Sequence, residues 1–183
     1  MKKISLPINT YSFLKADEIS EPDRLEILAL LENFFQTEDD PEQMPLTGDT
    51  QVTWQWIKKV FPECVILIKD QEKIVGSTSI FPSTKAAMED FIAKKESESS
   101  LFSRIHREDV TPKTMQAIYL CTAFIREEYR NCGLATQALL KSINSILPNN
   151  REISLFYWAY SDAGKILAEK ISSHLKLPLL FRP

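Results

Sequence analysis

The sequence predicts an α/β (α+β) domain, a sheet flanked by helices, on three observations. Ala117–Ile146 passes from an apolar, β-rich stretch through a short charged bend and a glycine into an amphipathic helix. Two apolar runs, Cys64–Lys69 and Lys73–Phe81, are separated only by Asp70-Gln-Glu72, which suits a hairpin turn. Helical periodicity precedes that hairpin and returns after the central strand.

The elements follow in order. Ile4, Leu6 and the Tyr11–Leu14 patch supply a short first strand, interrupted at Pro7. Ser20-Glu-Pro-Asp23 reads as a capping box. It opens a helix over Glu21–Gln36 whose wide apolar face carries Leu25, Ile27, Leu28, Leu31, Phe34 and Phe35. Thr37–Asp49 is a polar loop, acidic at Glu38, Asp39, Asp40 and Glu42. A second helix spans Thr50–Phe61, with Trp54 expected in the core, and Pro62 ends it. The hairpin comes next. Gly76 interrupts its second strand, as at a bulge or a close backbone approach, and Pro82 is expected to stop that strand.

Ser83–Thr114 reads as an insertion. A helix is expected over Thr84–Lys95, a polar break over Glu96–Ser100, one or two turns over Leu101–Ile105, and a loop from His106 to Pro112. The loop His106 reads as solvated rather than as a base. Ala117–Ile125 is the central strand. The helix after it buries Leu134, Ala138, Ile143, Ile146 and Leu147 and stops at Pro148. Glu152–Tyr160 is a fifth strand. Ser161-Asp162 caps a last helix, Ala163–Leu175, with Ile166, Leu167, Ile171 and Leu175 on one face. Pro178–Phe181 adds a short final strand.

Composition narrows the function. The 183 residues suffice for a single domain over residues 1–183, and 44% hydrophobic with 26% charged residues reads as a folded globular chain. The net charge is −3 and no Lys/Arg stripe interleaves with aromatics, so no nucleic-acid partner is expected. No run approaches the ~18 apolar residues of a membrane span, so no membrane partner is expected. The opening MKKISLPINTYSFLKA lacks the apolar core of a signal peptide. Cys64, Cys121 and Cys132 lack metal-ligand spacing, so no metal is expected, and their odd number argues against a disulfide framework. A cytoplasmic location fits.

The chemistry concentrates at Arg130–Thr136. The first amides of a helix have no intrahelical partners, and the helix dipole favours negative charge beside them. Gly133 lets a phosphate approach the backbone without a Cβ in the way. Ala135 is small at a second close approach, Thr136 offers a hydroxyl donor, and Arg130 is a cation at the mouth. A pyrophosphate fits this place.

Tyr129-Arg-Asn-Cys-Gly-Leu-Ala135, after a strand and ahead of a helix, resembles the acyl-CoA-binding motif of the GNAT acetyltransferase superfamily. That pattern is Gln/Arg-x-x-Gly-x-Gly/Ala, filled here by Arg130, Gly133 and Ala135. The element order is similar to the family's from about Pro22 to Phe181. The resemblance implies a mixed, mostly antiparallel, twisted sheet flanked by helices, with acetyl-CoA as co-substrate. The pyrophosphate would lie on Arg130, Asn131, Cys132, Gly133, Leu134, Ala135 and Thr136. The pantetheine arm would pair with backbone groups of Ala123, Phe124 and Ile125, in the manner of an added strand. An acyl group would pass directly to the amine of a small molecule or peptide. The two helices before the hairpin would overlie the acceptor, and the acidic loop would favour a cationic one.

Departures from the family pattern leave the proton transfers open. Ala168 stands where many members carry a helix tyrosine, and Ser161 where many carry asparagine. Tyr119 stands where histone-type members have a glutamate. Asn131 replaces a common glycine. Tyr160 and Tyr119 are the candidates for acid–base work, against a plain packing role for both. Cys132 lies at the pyrophosphate end and is not expected to be a nucleophile. A GNAT-fold acyl-CoA-binding domain without catalysis, acting as a sensor or interaction module, is the alternative. An unrelated α/β protein holding another phosphate ligand is a third reading, without a second nucleotide motif to support it. A family chain ends in two strands, so the missing one is either absent or supplied by a partner subunit. With the insertion, this leaves a homodimer open.

Overall fold

Ala117–Ile125 forms the central strand of a six-stranded sheet in a computed structural model, which describes residues 11–35, 50–107, 110–147 and 152–183. The strands are β1 (Tyr11–Lys15), β2 (Val65–Asp70), β3 (Lys73–Ser83), β4 (Ala117–Ile125), β5 (Ser154–Trp158) and β6 (Leu179–Arg182), and they lie in that order across the sheet. The three junctions from β1 to β4 are antiparallel. β4–β5 and β5–β6 are parallel. The mixed, mostly antiparallel sheet that the family resemblance implies is therefore present.

The helices are α1 (Glu21–Phe35), α2 (Thr50–Val60), α3 (Lys85–Ile92), α4 (Glu98–Arg107), α5 (Leu134–Ile146) and α6 (Asp162–Leu175). Strand alternation sorts them onto two faces. On one face Leu67, Ile74 and Phe124 pack with Ile27 of α1, and Phe81 meets Phe102 of α4 at 4.7 Å. On the other, Ile66, Ile68, Val75 and Ile125 pack with Leu134 and Ala138 of α5. Caps fix the starts of α1 and α6: the Ser20 hydroxyl accepts from Asp23 N–H at 3.3 Å, and Ser161 from Gly164 N–H at 3.1 Å.

Several expectations need correction. β3 runs through Pro82 to Ser83, because β2 reaches only to Ser79 and proline's missing N–H breaks no bond on that side. β5 is shorter than Glu152–Tyr160 at both ends, since it pairs with β4 only over Ser154–Tyr157. α3 ends by Ile92, with Lys94 in the left-handed region at φ 58°, where a chain commonly leaves a helix. Glu98–Ser100 belongs to α4 rather than to a break; the Ser97 hydroxyl caps that helix by accepting from Ser100 N–H at 3.2 Å. His106 lies in its last turn, and its side chain is outside the described residues. Leu25 and Ile166 are 56% and 64% exposed, so the packed faces of α1 and α6 are narrower than their apolar periodicity implies. Trp54 packs against the core as expected, while the acidic loop lies outside the described residues.

Candidate active site

β4 keeps one neighbour along its whole length and the other along half of it. β3 pairs with it from Ala117 to Ile125, but β5 pairs only from Ala117 to Leu120. Beyond Leu120 and Tyr157 the two parallel strands separate. Ala123 is accordingly exposed, although its strand is interior to the sheet. The Arg126 amide donates to Val75 O at 2.9 Å. By the alternation of an antiparallel ladder, the polar backbone groups of Phe124 face β3, and those of Ala123 and Ile125 face the gap. Phe124 instead contributes its ring, which meets Phe34 of α1 at 5.4 Å.

The gap leads to the turn before α5. Asn131 and Gly133 both have left-handed backbone, at φ 62° and 79°. This alternation around Cys132 orients successive amides toward one concavity. The first helical bond runs from Gln137 N–H to Gly133 O, at 2.9 Å. Among the described residues, no hydrogen bond consumes the amides of residues 131–136. Arg130, Asn131, Cys132 and Gly133 are exposed, Leu134 is buried beneath them, and Ala135 and Thr136 are half-buried. Arg130 Nε donates to Ile125 O at 3.0 Å, and Cys132 Sγ donates to Arg130 O at 3.5 Å. The bend before the turn is held to the hairpin: Tyr129 hydroxyl donates to Asp70 at 3.2 Å, and Lys73 pairs with Glu128 at 2.9 Å.

The α1 face of β4 carries the remaining polar groups. The register shifts between Ser79 and Ile80, so Cys121 is an extra residue bulged into β4 where the strands part. Below it Tyr119 is buried among Phe91, Phe102 and Phe156. Its hydroxyl donates to Glu98 Oε1 of α4 at 2.6 Å, and the Cys121 thiol lies 4.0 Å from the same oxygen. Glu98 is 6% exposed. Burial pushes its carboxyl up to about 7, against the opposing pull of Tyr119 and Arg182. Burial also raises the Tyr119 hydroxyl well above its ordinary range, and the Glu98 charge adds to that. Cys121 is raised by the same two causes. Arg182 of β6 lies 4.5 Å from the rings of both Phe91 and Trp158 and donates to Glu96 O at 3.0 Å.

Of the two tyrosine candidates, Tyr119 lies at this deep end. Tyr160 lies past β5, with its ring 6.1 Å from Phe34, toward the Phe124 end of the strand. Ala168 is a core residue of α6. Sequence reasoning missed Glu98. The Ser97-Glu98 pair is a helix-start signal that would have found the beginning of α4, but nothing local announces the contact with Tyr119.

No protein-family model matches the chain, and no curated protein matches it. Solved structures do. Diaminobutyrate acetyltransferase EctA from Paenibacillus lautus, in complex with L-2,4-diaminobutyric acid and coenzyme A, aligns over 92% of this chain and 77% of its own, at 13% identity and TM-score 0.52. A mosquito arylalkylamine N-acetyltransferase like 5b aligns over 88% of this chain and 82% of its own, at 16% identity and TM-score 0.52.

The chain has the GNAT fold.

Within this GNAT fold, one strand, β6, follows α6 among the described residues and lies parallel to β5. The described residues hold no helix long and apolar enough to cross a membrane.

Proposed function

We propose that the chain is an acyl-CoA-dependent N-acyltransferase that uses acetyl-CoA and transfers the acyl group directly to the amine of a small molecule or peptide. One observation carries this reading: the open edge of β4 runs straight into a turn whose amides have no protein partner among the described residues. A pantetheine amide can pair with Ala123 and Ile125 while the pyrophosphate takes the amides of residues 131–136 and the charge of Arg130. Asn131 fits the place of a family glycine, because asparagine is among the residues that best tolerate left-handed backbone. The fold likeness to two acetyltransferases supports the same reading.

Ser83–Thr114, with α3 and α4, is then an insertion within a single domain, placed on the acceptor side. Tyr119, its hydroxyl raised by burial, serves as a donor and not as the group that deprotonates an amine. Tyr160 is the second tyrosine candidate, with its ring beside Phe34. Three free cysteines suit a reducing cytoplasm. Ala168, buried at the position where many family members carry tyrosine, favours a second reading: an acyl-CoA-binding domain without turnover.

Calorimetric titration of acetyl-CoA into the wild type and Gly133→Trp tests the cofactor site. Binding to the wild type that the variant loses, with circular dichroism unchanged, is expected. CoA-thiol release with a panel of amines then separates enzyme from sensor. A wild type that ignores acetyl-CoA would falsify both.

A further inference from the structure

The phosphate turn lies beyond Ile125, and β4 and β5 close at Leu120–Tyr157. An extended arm anchored at the turn therefore points its reactive end down the gap toward Cys121, a path of four strand residues or roughly 13 Å. At that end, on the α1 face, Glu98 Oε1 lies 2.6 Å from the Tyr119 hydroxyl and 4.0 Å from Cys121 Sγ.

We propose that Glu98 takes the proton from the acceptor ammonium, with Tyr119 and Arg182 as positioning residues. The assignment rests on the acyl-transfer reading above. Three observations carry it. Among the described residues, Glu98 is the carboxylate in contact with the bulge where the strands part. Tyr119 fixes its orientation through one oxygen, by a bond that Gln could also accept. Arg182, clamped between Phe91 and Trp158, holds the segment just before α4 through the Glu96 carbonyl. The ionisable groups facing Glu98 are Tyr119 and Cys121 from β4 and Arg182 from β6. Burial sets its titration near neutrality, where a general base works best.

The step balances. The Glu98 carboxylate accepts one proton from R–NH3+. The freed lone pair forms the C–N bond at the thioester carbonyl, giving a tetrahedral oxyanion. Its collapse breaks the C–S bond, and the proton remaining in excess on nitrogen passes to the departing thiolate. Glu98 then returns its proton to solvent, so one proton is released per amide formed.

The test is the pH dependence of kcat/KM, followed by CoA-thiol release from acetyl-CoA with a panel of primary alkylamines, arylalkylamines and peptide N-termini. The wild type is expected to show a limb near the pH at which Glu98 titrates. Glu98→Gln should lose that limb and fall about 10²–10⁴-fold in kcat/KM, with the calorimetric Kd for acetyl-CoA unchanged. Tyr119→Phe removes a hydrogen bond that favours the charged form, so its limb should move to higher pH. Retention of wild-type kcat/KM and limb by Glu98→Gln overturns the assignment. So does joint loss of acetyl-CoA binding and thermal stability, which marks a structural tether. A wild type that binds acetyl-CoA without turning over any amine overturns the enzyme reading instead.

Discussion

Gly76 and Phe124 approach so closely across the β3–β4 junction that a Cβ on the glycine would stand 2.6 Å from the Phe124 carbonyl oxygen. The same Cβ would meet Ile125 Cδ1 at 2.5 Å. A register shift of the β2–β3 pairing, between Ile68 and Lys69, lies beside Gly76. Gly76→Ala must move backbone, so it is expected to cost about 1–3 kcal/mol. Thermal unfolding should register about 2–4 °C for each kcal/mol. An unchanged Tm would show that the junction yields freely.

Arg130 has two tasks, facing the turn and bonding Ile125 O. Arg130→Ala is expected to raise the Kd for acetyl-CoA about tenfold, or about 1.4 kcal/mol, at low salt. The gap to the wild type should narrow as ionic strength rises, because the site is exposed and screened. Calorimetry at two salt concentrations checks both points. A gap independent of salt would assign the loss to the Ile125 bond.

Asn131 sits at φ 62°. Asn131→Val should lose about 1–2 kcal/mol and weaken acetyl-CoA binding, since the turn amides would turn away. Asn131→Gly should keep or tighten binding. Equal affinities for the two variants would separate the turn's backbone shape from ligand recognition.

Glu98 also makes stability depend on pH. Its folded pKa, about 7, lies above the ordinary carboxylate value of 4.5, so the folded state binds the extra proton between those values. The penalty for ionising it is absent below pH 4.5, grows as pH rises, and is complete above 7. Its full size is about 3 kcal/mol. Glu98→Gln should gain on the wild type as pH rises through that window, read as the difference in Tm between acidic and mildly alkaline buffer. The difference isolates Glu98 from Asp23 and Asp90, whose lowered pKa values act in the opposite direction.

How much was legible in the sequence varied with how local the cause was. The bounds of Ala117–Ile125 are legible to the residue because an interior strand is a nearly continuous apolar run and its end is marked by charge. Gly133 and the start of α5 followed from turn chemistry that reads over a few residues. The surroundings of Glu98 did not. Glu96–Ser100 has the composition of a loop, and only packing against β4 makes Glu98 a buried group. The bulge at Cys121 leaves no mark in the strand's hydrophobic pattern, yet it decides which side chains share a face with Tyr119. The apolar pattern runs on to Tyr160 while the strand stops at Trp158, because strand length depends on a neighbour that turns away.

The bond from Arg182 to the Glu96 carbonyl spans 86 positions. A growing chain has already exposed α3, α4 and the central strand before that arginine leaves the ribosome. The clamp of Phe91 and Trp158 stands empty until then, and the segment leading into Glu98 lacks its latch. Seating the segment before Glu98 thus depends on a contact of long sequence separation, whose loop-closure cost comes before its reward.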